Sequence, residues 1–254
     1  MENKPLSGKS AVVVGGSRGI GRAIVQRLAA DGAGVVFSYL RNDEAARETE
    51  RLVRSGGGTA WSVKADSGDL SALQALFREA DKQFTEAGLQ GLDILVNSAA
   101  IPVMTPIGTT TEADYDRVMD VNAKGPFFAM QYASARMNQG GRIVNVSSVT
   151  TRWPRVPESG YIASKSALEA FTRVGARELA PREITVNTVS PGPSETEMLI
   201  GSTTEEIRQQ VIADTPLSRL GQPAEIAAVV AFLAGPDGAW VTGQNIRADG
   251  GLVY

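Results

Sequence analysis

The chain contains no cysteine and no histidine. The first absence removes disulfides and thiol nucleophiles. The two together remove Ser-His-Asp and Cys-His catalysis and any zinc site built on imidazole or thiolate, and no metal set is expected. If the chain catalyses proton transfer, Tyr, Lys, Asp and Glu are the side chains left for it. Long apolar runs are also missing: none approaches the ~20 residues of a membrane-spanning helix. The stretch from Met1 to Lys9 is polar and lacks the apolar region of a secretory signal. Strong positive charge is absent too. A formal net charge of −3 argues against nucleic acid or an anionic membrane as the main partner. These absences predict a soluble, cytoplasmic protein acting on a small molecule. At 254 residues and 43% hydrophobic content, with no repeat, low-complexity tract or linker, residues 1–254 are expected to form one domain.

What is present is a regular alternation. Ser10 to Val14 is a short β-branched run suited to a strand buried on both faces. The glycine-rich turn Gly15 to Gly21 follows, then an amphipathic helix from Arg22 to Ala30. Gly34 to Ser38 reads as a second strand. Asn42 is placed to cap a helix reaching about Arg54, with Asp43 and Glu44 in its first turn. Strands are predicted at Thr59 to Lys64, Leu92 to Val96, Arg142 to Val146, Ile184 to Val189 and Gln244 to Ala248. Helices are predicted from about Asp69 to Ala87, from Glu112 to Met137 with a break near Gly125-Pro126, from Ser159 to Leu179 and from Pro223 to Ala234. Strands alternating with helices imply an α/β fold: a doubly wound, Rossmann-type parallel sheet of about seven strands with helices on both faces. In such a sheet ligands bind beyond the carboxyl ends of the strands.

The stretch from Ser148 to Lys165 carries the reactive pattern. Tyr161 and Lys165 lie one helical turn apart on one face. An ammonium beside a phenol favours the phenolate, which would bring the tyrosine within reach of general acid–base chemistry. Ser148 ends the apolar run from Arg142 and can meet Tyr161 across one crevice; Ser147 is the alternative serine. Tyr-Lys pairs at this spacing also occur on ordinary exposed helices, so the pair gains weight mainly because histidine and cysteine are missing.

Taken in order, these residues resemble the short-chain dehydrogenase/reductase family over nearly the whole chain. Gly15, Gly19 and Gly21 match its glycine-rich cofactor loop, Asn97 to Ala100 its Asn-Asn-Ala-Gly segment, and Ser148, Tyr161 and Lys165 its catalytic serine and Tyr-x-x-x-Lys pair. The resemblance implies hydride transfer between a nicotinamide and a carbonyl or alcohol carbon. Tyr161 would be the general acid or base, Lys165 would lower its pKa, Ser148 would polarise the substrate oxygen, and Asn122 would serve a water-borne proton relay. It assigns cofactor contacts to Gly15, Ser17, Arg18, Gly19, Ile20, Gly21, Ser38, Tyr39, Arg41, Asp66, Ser67, Asn97, Ser98, Ala99, Tyr161, Lys165, Pro191, Gly192, Ser194 and Thr196. Asp66 would hold the adenine amino group. The chain departs from the family pattern at Val14, Ser98 and Ala100, where a threonine-to-segment hydrogen bond is replaced by apolar or small residues.

NADP(H) is the expected cofactor, with NAD(H) possible. An NAD-selecting carboxylate is expected at the end of the second strand, and Tyr39 stands there instead. Ser38, Arg41 and Arg18 are the candidates for a 2′-phosphate, since arginine matches phosphate in charge and geometry. A substrate cover is expected from Pro193 to Leu217, with two overlapping capping boxes in Ser202 to Glu206. Val103, Met104 and Trp153 are further apolar candidates. Arg152 and Arg155 suit an acidic substrate or an acyl carrier, although such arginines are more often solvated or at a subunit contact. Three readings stay open: an NADPH-dependent carbonyl reductase, of 3-oxoacyl thioesters or another ketone; an alcohol, polyol or sugar dehydrogenase working oxidatively; and a dinucleotide-sensing regulator. The family resemblance also implies a homotetramer assembled through the two long helices, with Ser164, Ala167 and Ala170 permitting close approach.

Overall fold

The structure, a computed structural model, describes residues 4–253. Seven parallel strands lie in the order β3-β2-β1-β4-β5-β6-β7. They are β1 Ser10–Val14, β2 Gly34–Tyr39, β3 Thr59–Lys64, β4 Leu92–Asn97, β5 Met137–Val146, β6 Thr185–Pro191 and β7 Asn245–Ala248. β1, β2 and β4 are buried throughout or nearly so, as their continuous apolar runs require. One face packs Val13, Val35, Phe37 and Val96 against Ile24 and Leu28 of helix α1 (Gly19–Ala30) and Val230 and Leu233 of α9 (Pro223–Ala234). The other packs Val12, Val36, Leu95 and Ile143 against Leu73, Leu76 and Phe77 of α3 (Leu70–Glu86). Helix α2 (Asp43–Ser55) starts where expected, with the Asn42 side chain accepting the Ala45 N–H at 2.8 Å. The order of strands reverses between β1 and β4, which opens a crevice at their carboxyl ends.

Three local expectations need correction. The long helix is interrupted earlier than Gly125: α4 (Glu112–Met119) passes through a π-turn at Asp120–Lys124 before α5 (Gly125–Ser134). The cause is Pro126. Its ring would clash with the carbonyl four residues back, at Asn122, so the ladder widens and Gly125 N–H bonds to Asp120 instead. Next, β5 begins at Met137, paired with Leu92, because the polar Gly140-Gly141 segment is an irregularity within the strand rather than a turn before it. Last, neither capping box in Ser202 to Glu206 forms. Ser202 and Thr203 end α7 (Glu197–Ser202), donating to Met198 and Leu199 carbonyls, and Thr204 caps α8 (Glu205–Asp214) through the Ile207 N–H at 3.4 Å.

Candidate active site

The crevice floor begins at the glycine loop. Val14 C=O accepts the N–H groups of Ser98 and Ala99 at 2.9 and 2.7 Å, locking the loop to the end of β4. The side chains of Val14 and Ala99 share one apolar cluster, the contact expected in place of the missing threonine. Gly15, at φ +86°, lies so close to Ala99 that an added Cβ would fall 2.7 Å from its Cα. A Cβ on Gly21 would overlap the Gly15 carbonyl oxygen. Behind the loop, Arg22 and Thr49 all point donors at the Ser17 carbonyl, at 2.7–3.1 Å. In front, α1 starts at Gly19 with no side chain capping it. Its first-turn N–H groups therefore face a cavity of about 340 Å³, an arrangement that receives phosphate. This backbone cradle fits a dinucleotide pyrophosphate.

Most of the residues singled out from sequence border that cavity: Gly15, Ser17 to Gly21, Ser38, Tyr39, Asp66, Ser67, Ser98, Ala99, Ser148, Tyr161, Lys165, Pro191, Gly192, Ser194 and Thr196. Three do not. Arg41 is exposed in the turn beyond Leu40, because the chain bends there for Asn42 to cap α2; Leu40 borders the cavity instead. Asn97 is buried beneath the floor, donating to Asn145 Oδ1 at 2.8 Å and so tying β4 to β5. Asn122 is fully buried in the π-turn. Its amide bonds both backbone groups of Ile101, at 2.9 and 3.0 Å, and donates to Ser164 Oγ at 3.2 Å. Its side chain therefore positions the loop after β4 against α6 (Ser159–Glu178). Ser164 faces the interior as well, so it is not on an outer helix contact.

At the catalytic end, Ser148 rather than Ser147 meets the phenol. Ser147 donates to Glu169 at 2.9 Å, while Ser148 lies close enough to the Tyr161 phenol to favour its ionisation and accepts from the Thr150 N–H and hydroxyl. Lys165 Nζ lies 5.9 Å from the Tyr161 ring centroid and donates to the Val146 carbonyl at 2.8 Å. Burial pushes the Tyr161 phenol up to about 12, the Ser148 hydroxyl works against it, and the charge of Glu158 adds to the rise. Burial pushes Lys165 down to about 8. Burial outweighs the expected lowering of the tyrosine by the lysine, and the phenol stays above its ordinary value. Lys165 has lost its proton near pH 8, so it carries no charge when Tyr161 titrates near 12. Near neutrality the site holds a protonated phenol beside an ammonium, both with their protons.

Residues missed from sequence also shape the crevice. Arg117 of α4 holds both oxygens of Asp66 at 3.0–3.1 Å, and Asp66 accepts the Gly68 N–H. Arg18 pairs with Glu197 of α7 at 3.2 Å, both side chains largely exposed. Asp43 is paired with Lys64 at 3.1 Å and with Tyr39, which keeps it out of the cavity. The substrate half is walled by Ile101, Met104, Trp153, Met198 and Leu199, with Arg155 stacked on Trp153 at 5.6 Å. Val103 and Arg152 do not border it. Among the described residues no helix is long and apolar enough to cross a membrane.

Comparison with known proteins gives a consistent set. The family model described as Enoyl-(Acyl carrier protein) reductase matches residues 14–253. An uncharacterized oxidoreductase of Methylorubrum extorquens is 43% identical over 249 residues, covering 97% of this chain and 98% of that protein. A solved short-chain dehydrogenase/reductase from Serratia marcescens is 42% identical with a TM-score of 0.92, covering 98% of this chain and 99% of its own. The angucycline C-6 ketoreductase LanV, solved with bound NADP, is 41% identical with a TM-score of 0.92, covering 98% of this chain and 96% of its own.

Proposed function

The chain belongs to the short-chain dehydrogenase/reductase family of NAD(P)-dependent oxidoreductases, and from that premise we propose that it reduces a ketone to a secondary alcohol with NADPH. The observation that supports the direction is the likeness to a ketoreductase with bound NADP; burial raises the Tyr161 phenol, so at neutral pH it has the proton that the reductive direction uses. A group that keeps its proton is an acid ready for a carbonyl oxygen; oxidation of an alcohol needs the phenolate that burial disfavours. Bound NADPH would supply the hydride for the carbonyl carbon. Ser148 orients and polarises the carbonyl oxygen, and Tyr161 gives that oxygen its proton. Lys165, charged below about 8, stabilises the phenolate left behind. The loop after β4, stapled by Asn122, and Met198 and Leu199 of α7 keep the substrate half apolar. The test is NADPH oxidation against a panel of ketones, with a crotonyl thioester as the enoyl control and the matching alcohols with NADP in reverse. Turnover of alcohols alone would overturn the reading in favour of an oxidative dehydrogenase.

NADPH is favoured over NADH because no carboxylate borders the cavity at the end of β2, where Ser38, Tyr39 and Leu40 do. Arg18 is the one arginine of the glycine loop that borders it, and its partner Glu197 is an exposed residue on α7 that it can release. LanV, bound to NADP, lends support from a relative. The expected result is a higher kcat/KM with NADPH than with NADH, reduced by Arg18→Ala and little changed by Arg41→Ala. Preference for NADH in the parent protein would defeat it.

A homotetramer is part of the same reading. α5 and α6 leave Phe127 and Val174 open on one side, 43% and 56% exposed, with Phe127 edge-on to Phe171 at 5.1 Å. Light scattering is expected to give four times the chain mass, and a monomer mass at working concentration would refute it.

A further inference from the structure

Glu158 has no part in the chemistry described above, yet it is a carboxylate set into the crevice. It is 6% exposed and borders the cavity, at the residue that opens α6 one turn before Tyr161. Its backbone does ordinary work: the Ile162 N–H donates to its carbonyl at 2.8 Å. Its side chain does not cap the helix, although an acidic residue in this place ordinarily accepts a first-turn N–H. Among the described residues nothing hydrogen-bonds the carboxylate. Burial raises its pKa, and the one charge acting against that is Arg155, whose guanidinium is turned onto the Trp153 ring. The unpartnered carboxylate oxygens open onto the cavity, where solvent reaches them. Their charge opposes ionisation of Tyr161. A ligand that displaces that solvent must supply a donor in its place.

Resting on the reading of the site as a ketone reductase, we infer that Glu158 is a specificity-determining residue that accepts a hydrogen bond from a hydroxyl group of the substrate, so that the natural substrate is a hydroxylated ketone on an apolar skeleton. Glu158 and Tyr161 border the same cavity and the charge of Glu158 acts on the phenol, so one ligand can address both groups. Ile101, Met104, Trp153, Met198 and Leu199 supply the apolar walls around that pair of polar groups. The nearby Arg155 disfavours a cationic donor, which leaves a neutral alcohol or phenol.

The test compares 2-tetralone with 2-tetralones carrying one hydroxyl at each aromatic position in turn, in the parent protein and in Glu158→Ala and Glu158→Gln. The readout is the ratio of kcat/KM for the best hydroxylated ketone to that for 2-tetralone. A structural role for Glu158 would move both rates together and leave the ratio alone. The parent ratio is expected at about tenfold to a hundredfold, the scale of a hydrogen bond to a charged group. Glu158→Ala should bring it near one, and Glu158→Gln, which keeps an acceptor, should retain part of it. A parent ratio near one, or a ratio unchanged in Glu158→Ala, overturns the inference. If the parent protein reduces neither ketone, the ketone-reductase reading fails, and calorimetric binding of the same ketones to the NADP complex decides the role of Glu158 separately. Tighter binding of a hydroxytetralone that is lost in Glu158→Ala sustains it; equal or undetectable binding overturns it.

Discussion

Tyr161→Phe is expected to lower ketone turnover by about 10²–10⁴-fold, the range of general acid–base catalysis. The substitution keeps the ring that stands near Lys165 and removes the one proton donor aimed at the substrate oxygen. Cofactor binding is expected to survive, since the glycine loop and Lys165 are unchanged. The loss should appear in kcat and in kcat/KM alike, because the proton is delivered only in the transition state. Ser148 is the neighbouring hydroxyl, but an aliphatic hydroxyl is a far weaker acid than a phenol, so it can hydrogen-bond the substrate oxygen without replacing the lost acid. Near-normal turnover of the Phe variant, with NADPH binding intact by fluorescence, would remove Tyr161 from the mechanism.

Much of this site was legible in the sequence because it rests on local patterns. The buried strand followed by glycines and a helix is a contiguous signal, and so is a Tyr and a Lys one turn apart. α9 runs over the residues expected, Pro223–Ala234, since proline at its first turn and an apolar run leave little choice. The misses are long-range or geometric. Arg117 meets Asp66 across 51 positions of sequence, and nothing in the periodicity of α4 announces that pairing. Asn97 follows an apolar strand as a ligand-facing residue would, yet its side chain turns into the β4–β5 pair, an orientation fixed by Asn145 far along the chain. Arg41 carries the right charge for a phosphate, but the cap at Asn42 turns the chain away one residue too soon.

The reading of Lys165 illustrates a different limit. Sequence spacing places it correctly and the sign of its charge effect is as expected, but the net shifts of Tyr161 and Lys165 are set by burial, which only the fold provides. Glu158 escaped notice for the same reason. A glutamate just before a helix reads as a favourable charge at the helix N-terminus; that its carboxylate is set into the crevice, unpartnered and within the electrostatic reach of Tyr161 is visible only in three dimensions.

Lys165→Met is expected to remove both rate and pH dependence. In the parent protein, kcat/KM for reduction should fall as pH rises through about 8. The sign follows from the depressed pKa: the ammonium is present below that value and absent above it. Tyr161, at about 12, keeps its proton throughout and adds no limb of its own on the alkaline side. The size follows from distance. Lys165 Nζ stands 5.9 Å from the ring centroid; a unit charge at about 6 Å, at the effective dielectric suited to protein sites, is worth at most about 3 kcal/mol to the phenolate formed as the proton leaves. That corresponds to at most about 10²-fold in rate. The methionine variant should therefore run up to about 10²-fold slower at neutral pH and show a flat profile where the parent falls. Oxidation of the product alcohol should behave in the opposite sense, rising with pH toward the Tyr161 value, since it requires the phenolate. A parent profile that falls near 8 and keeps the same fall in Lys165→Met would assign the titration to another group and leave the lysine without its electrostatic role.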